Sequence, residues 1–314
     1  MKRFAGLAAA VAILAAPGAE AATHGTGRIA FSLSGRNDVT AIYTVRPDGS
    51  GLRQLTRPVV RQGFGGDSGP VWSGDGRRVA FERDLPYWGR DRFRIHVVGD
   101  GGRNEHALTT GPFDVMPTWA PGRKQLAFVR LVIGDALTQS SIYTVTLGGS
   151  ARELISGTAD VTPAWSPDGR TIAFARVLNG EAELSLANAD GSDVRSLGLK
   201  GTQPTWAPDG KRLAFVSYAD KNGQTCAGED CSPNGEIYVV TVDGSGLRRL
   251  TFSKADDAQP TWSPDGTSIA FSSGYEVGGH PPWLVVVAAA GGPPKRITRL
   301  SGIHDPAWSP ASVR

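Results

Sequence analysis

Six times along this chain a short motif built on Pro-x-Trp returns, and that return limits what the chain can fold into. In its fullest form it reads Pro163-Ala-Trp165-Ser-Pro-Asp-Gly169, followed by Ile172-Ala-Phe174. Pro167 pre-sets φ for a tight turn, Asp168 caps it locally and Gly169 accepts the positive φ that follows. On either side, large apolar residues alternate with small ones, as in strands packed on one face. Close copies are Pro204 to Gly210 with Leu213-Ala-Phe215, and Pro260 to Gly266 with Ile269-Ala-Phe271. Degraded copies start at Pro70 and Pro117. The chain is a repeat protein.

Each repeat continues in the same way. A third strand follows, such as Ile42-Tyr-Thr-Val45, Ile142-Tyr-Thr-Val145 or Ile237-Tyr-Val-Val240. Asp-Gly punctuation then marks a hairpin at Asp48, Asp100, Asp190 and Asp243. A short fourth strand, such as Arg249-Leu250-Thr251, ends the unit. Four antiparallel strands every 41 to 56 residues, counted from tryptophan to tryptophan, predict the blades of a β-propeller. The fold class is therefore all-β, with six blades. The six Trp strands and the six Ile-Ala-Phe strands are out of phase by one. Gly27-Arg-Ile29-Ala-Phe31 lacks a Trp strand before it, and Pro306-Ala-Trp308-Ser-Pro310 lacks a partner after it. Pairing the C-terminal strand with the N-terminal one completes the sixth blade and removes two open sheet edges.

Residues 1–21 read as an export signal. Lys2 and Arg3 precede an apolar run from Phe4 to Ala16, and Ala19-Glu20-Ala21 supplies an A-x-A cleavage site. The run is shorter than the roughly 20 residues a membrane span needs. The expected domains are thus a signal over 1–21 and a propeller over 22–314, in the periplasm or secreted, with no membrane span after cleavage. The formal net charge of +3 argues against nucleic acid as a partner. Cys226 and Cys231 sit in one insertion, and in an exported chain a small disulfide-closed loop is expected.

The run Pro-x-Trp-Ser-Pro-Asp-Gly-x-x-Ile-Ala-Phe resembles the repeat of the TolB-like propellers, and Asp243-Gly-Ser-Gly-Leu-Arg-Arg-Leu-Thr251 is a close match to it. The resemblance covers residues 27–310. It implies a scaffold for envelope proteins or peptides, without the α/β domain that TolB carries ahead of its propeller. Similar propellers also precede the hydrolase domain of prolyl-oligopeptidase-like peptidases, and a few are polysaccharide lyases. The alternative function is accordingly a propeller-type lyase or other carbohydrate-active enzyme.

Topology places the uniform Asp-Gly turns on one face and the irregular connections on the other. The irregular set includes the segment with Tyr87 and Trp88, the Cys226–Cys231 insertion and residues 274–282. Variable loops on a rigid scaffold are where binding usually resides. Five residues before the Trp, four repeats carry an aspartate: Asp67, Asp114, Asp160 and Asp257. They are expected either to cap their own turns or to ring one mouth of the channel, where they would attract a basic peptide or a calcium ion. The closing repeat has Ile303 there, with Asp305 two places on. No other cofactor and no catalytic residue is expected. Gly66-Asp67-Ser68-Gly69 echoes a serine-protease motif but falls in a repeat position. His280 and His304 share the loop face, where with Asp305 they could form a metal site or a base. A monomer binding an envelope protein or peptide is the favoured reading.

Overall fold

The computed structural model describes residues 27–35, 39–58, 65–85, 93–111, 113–122, 124–134, 138–157, 159–219, 234–274 and 281–310. The expected signal over 1–21, Tyr87, Trp88, the two cysteines and His280 lie outside the described residues. Among those described there are strands and turns but no helix.

Chain order runs blade by blade. Blade 1 begins with β1 (Ile29–Ser34), β2 (Thr40–Val45) and β3 (Arg53–Gln54). Blade 2 is β4 (Gly66–Trp72), β5 (Arg78–Asp84), β6 (Phe93–Gly99) and β7 (His106–Ala107). Blade 3 is β8 (Asp114–Trp119), β9 (Gln125–Ile133), β10 (Thr138–Thr146) and β11 (Arg152–Ile155). Blade 4 is β12 (Asp160–Trp165), β13 (Thr171–Leu178), β14 (Glu181–Asn188) and β15 (Arg195–Lys200). Blade 5 is β16 (Thr202–Trp206), β17 (Arg212–Ser217), β18 (Glu236–Thr241) and β19 (Arg248–Arg249). Blade 6 is β20 (Asp256–Trp262), β21 (Ser268–Gly274), β22 (Trp283–Ala288) and β23 (Lys295–Arg296). The last strand, β24 (Ile303–Trp308), returns to blade 1 and gives it the order β24-β1-β2-β3. Ile29 pairs with Trp308 and Leu33 with Ile303, so the ring closes as the phase of the repeats requires.

The turns form as their residues dictate. Between β12 and β13, the Ser166 amide donates to the Thr171 carbonyl at 2.8 Å and Gly169 takes φ 68°. Asp168 Oδ1 accepts from the Ser166 hydroxyl at 2.6 Å and from the Arg170 amide at 3.0 Å. Ser73/Asp75 and Ser263/Asp265 repeat the device.

The core consists of packing between neighbouring blades. Phe31, Phe81, Phe128, Phe174, Phe215 and Phe271 are all fully buried, each contributing about 1.5–3 kcal/mol of apolar burial. Between blades 3 and 4, Ile142 and Ile155 meet Trp165, Ile172 and Phe174. Three of the six motif tryptophans also bridge blades by hydrogen bonds. Trp72, Trp206 and Trp262 donate Nε1–H to the carbonyls of Ala307, Ala164 and Thr205 on the preceding inner strand, at 3.2, 3.0 and 3.2 Å. In these three repeats the tryptophan is both spacer and clamp, one end apolar and one polar. The Nε1–H groups of Trp119, Trp165 and Trp308 are buried without a partner, and these rings act as spacers alone.

Candidate functional site

The proline of each Pro-x-Trp motif cannot donate to a β ladder, so pairing lapses at that point. Register breaks between Ser68 and Val71, Val115 and Thr118, Val161 and Ala164, Thr202 and Thr205, and Ala258 and Thr261. At each break the residue before proline adopts left-handed backbone: Gly69, Met116, Thr162, Gln203, Gln259 and, on β24, Asp305, with φ between 51° and 58°. Left-handed φ is rare for a non-glycine residue and an outlier for β-branched Thr162. Six bulges in one register turn these residues toward the axis.

Together with the six prolines they line a central cavity of about 460 Å³. Side-chain oxygens stitch the belt from blade to blade. Thr162 Oγ1 accepts the Gln203 amide at 3.2 Å, and Gln203 Oε1 accepts the Gln259 amide at 2.7 Å. Gln259 Oε1 accepts the Asp305 amide at 2.9 Å, and Asp305 Oδ2 accepts the Gly69 amide at 3.2 Å. Gly69 has no side chain to pass on. Glu82, from β5, takes its place and accepts the Met116 amide at 2.7 Å. A Cβ on Gly69 would stand 2.9 Å from Glu82 Oε1, so the glycine makes room for the carboxylate.

Glu82 and Asp305 thus flank Gly69 and put two carboxyl groups on one side of the channel. Burial pushes the Glu82 carboxyl up to about 7, opposed by the Met116 amide and reinforced by the charge of Asp305. The Ser68 hydroxyl also bonds Glu82. That use of Ser68, with Asp67 locked onto Arg83, disposes of the serine-protease echo.

The four aspartates expected at the mouth are elsewhere. Asp67, Asp114 and Asp160 are 0% exposed and Asp257 is 1% exposed. Among the described residues the channel wall does not include them. Three are clasped by an arginine from the second strand of their own blade. Arg83 meets Asp67 at 2.7 and 2.9 Å, Arg130 meets Asp114 at 2.6 and 2.9 Å, and Arg176 meets Asp160 at 2.7 and 2.8 Å. Bidentate forks of this kind are strong and fix geometry. Their hydrogen bonds to Asp114 and Asp160 push Arg130 and Arg176 above the ordinary arginine value. Asp114 also accepts the Gly111 amide at 3.1 Å, the turn-capping role. The acidic mouth is therefore corrected from these four positions to Glu82 and Asp305.

Blade 6 departs from the pattern, because Ser273 stands where the arginine would be. Asp257 Oδ1 is left with no hydrogen-bond partner, and burial pushes the carboxyl up to about 6. Burial likewise pushes neighbouring Glu236 up to about 7, against hydrogen bonds from Thr251 and Arg249. A carboxyl whose folded value is raised holds its proton where the unfolded chain has already lost it. Stability is then fullest in acid and falls as pH rises through about 6 and about 7. Asp257→Asn is expected to flatten that decline, gaining on the order of 1–3 kcal/mol over the parent at pH 8 and little at pH 4. Urea melts of both proteins across that range check it. Parallel pH profiles would defeat the assignment.

His304 is half-buried on β24 opposite Ser32. Among the described residues no three His, Cys, Asp or Glu side chains converge as a metal site would. The belt itself was not anticipated from the sequence. Its signals were the residue before each motif proline, and Glu82, the one charged residue among those directly following an Ile-Ala-Phe-type triplet.

These features define a six-bladed β-propeller with an internally laced polar channel. Residues 88–232 match the family model PD40, the TolB beta propeller domain. Among solved structures, TolB from Acinetobacter baumannii aligns at TM-score 0.69 and 18% identity, over 90% of this chain and 67% of that one. A putative TolB from Agrobacterium tumefaciens aligns at 0.67 and 19%, over 91% and 94%. An oligogalacturonate lyase in complex with manganese aligns at 0.57 and 19%, over 87% and 74%. At these identities the likeness is one of fold.

Proposed function

We propose that this protein is an exported, non-enzymatic scaffold of the cell envelope that takes a peptide or protein segment at the loop face and into the central channel. The observation that carries it is the channel: six prolines form an apolar wall, and Glu82 and Asp305 place two carboxyl groups on one arc of it. Most side-chain oxygens of the belt already hold amides of the next blade, so the wall is preorganised rather than waiting to be filled. A ligand that fits is an extended segment with apolar residues and a lysine or arginine, whose charge meets Glu82 and Asp305. Calcium is the competing occupant of the same carboxyl oxygens. Tyr87 and Trp88 would add aromatic contact at the loop face, and the segment over 1–21 would direct export.

The test is a peptide-display selection on the purified protein, followed by calorimetric titration of the selected peptide with and without calcium. Glu82→Gln keeps an acceptor for the Met116 amide and removes the charge. With Asp305→Asn it is expected to weaken peptide binding at least tenfold at unchanged melting temperature. Selected peptides without basic residues, or full affinity in the double variant, would sink the proposal.

A further inference from the structure

On the opposite face, where the uniform turns lie, blades 1 and 2 enclose a groove of about 850 Å³. Four arginines and a histidine line it: Arg53 from β3, Arg77 and Arg78 from the β4–β5 turn, Arg103 from the β6–β7 turn, and His106 from β7. Asp100 is the one acid in the lining. Five arginines elsewhere in this protein are engaged with acids. Arg83, Arg130, Arg176, Arg212 and Arg249 all form ion pairs. Among the described residues none of the four groove arginines stands within ion-pair distance of a carboxylate. Asp75, in the same turn, feels the charges of Arg78 and Arg77, but its Oδ1 is engaged by the Ser73 hydroxyl and the Arg77 amide, at 2.6 and 3.1 Å.

The groove is also held in shape. Arg53 reaches across the blade junction to the Asp100 carbonyl at 3.2 Å, and the Gly99 amide bonds the Arg103 carbonyl at 2.8 Å. Behind Arg53 the positive field continues. Burial first, then the charges of Arg46 and Arg53, draw Arg28 below the ordinary arginine value.

From the convergence of four guanidinium groups without ion pairs in one groove between blades 1 and 2, we infer that this groove binds a phosphorylated ligand. A carboxylate is satisfied by one guanidinium fork. A phosphate carries up to two charges and three acceptor oxygens, which several guanidiniums arriving from different strands can share. The binding face lies opposite the variable loops, so it is independent of what the channel captures. The phosphate can come from a soluble molecule or from a phospholipid headgroup, and both present the same chemistry to the arginines.

Two probes separate the sources: inorganic pyrophosphate in calorimetric titration, and flotation with phosphatidylglycerol-containing vesicles, both at low salt, where screening is weakest. The parent protein is expected to bind at least one of them saturably. Arg77→Ser combined with Arg103→Ser, both on exposed turns, is expected to weaken that binding at least tenfold. Arg170→Ser combined with Arg195→Ser removes the same charge from exposed positions of blade 4 and is expected to change it less than twofold. Pyrophosphate binding alone identifies a soluble phosphate, and flotation alone identifies a headgroup. If the groove double variant melts early, Arg103→Ser by itself is expected to give a threefold loss. No saturable binding of either probe, or equal losses in the two double variants, would overturn the inference.

Discussion

Deleting residues 303–314 is expected to abolish the cooperative fold rather than trim it. The deletion removes β24, the inner strand of blade 1, and with it the strand pairing that closes the ring. Ile303 and Trp308 are buried against β1, and their loss opens Ile29 and Phe31 to water. Three seams part together. The Ser309 amide leaves the Arg28 carbonyl at 2.7 Å, the Trp308 amide leaves Thr261 Oγ1 at 3.1 Å, and Trp72 loses its acceptor on Ala307. Losing one buried tryptophan side chain costs about 3–5 kcal/mol. Losing the strand as well approaches the roughly 5–15 kcal/mol that holds a whole domain. Thermal melts should show a transition lower by more than 10 °C, or none. Deleting 311–314 alone leaves every bond named here in place and should shift the melt by less than about 2 °C. Equal melting of the full chain and the chain ending at 302 would refute the closed ring.

The second large effect is expected at the buried ion pairs. Asp114→Asn combined with Asp160→Asn leaves Arg130 and Arg176 without their counter-charges inside the blades. Breaking one side of such a pair costs about 3–5 kcal/mol when both groups are fully buried. Here the arginine side chains are 18% and 27% exposed, so about 2–4 kcal/mol per site is expected. The two sites share no partner, and their costs should add. Replacing the Asp114–Arg130 pair by Leu and Met should cost much less than the single change, because no charge is then stranded. Denaturant melts measure each step. A double Asn variant within 1 kcal/mol of the parent, yet unable to bind the channel peptide, would return these aspartates to the ligand site and remove them from the scaffold.

The sixteen-residue interval that joins these pairs was already present in the chain: 67 to 83, 114 to 130 and 160 to 176, broken at 257 by Ser273. It went unread because the interval spans a hairpin. An aspartate near the start of one strand looks free until the strand after the turn lays its arginine beside it. The acids of the channel were hidden in the same way. Glu82 and Asp305 both come up against Gly69 but lie over two hundred residues apart in sequence, and only the bulges at Gly69 and Asp305 turn them to a common axis.

What the sequence determined by itself was local and periodic. Pro-Asp-Gly sets its turn by φ alone, and the spacing of Trp165 from Ile172 and Phe174 requires a two-stranded unit with one packed face. The phase slip between the first and last repeats is arithmetic that only ring closure resolves. Tertiary structure decided which carboxylates are spent and which are presented. Asp67 and Asp305 are the same residue type on equivalent inner strands two positions apart in register, yet one points between blades at Arg83 and the other points into the channel. The reason is the proline that follows Asp305 in its motif: by breaking the ladder it forces a left-handed bulge, and that rotation reverses which side of the strand faces the axis.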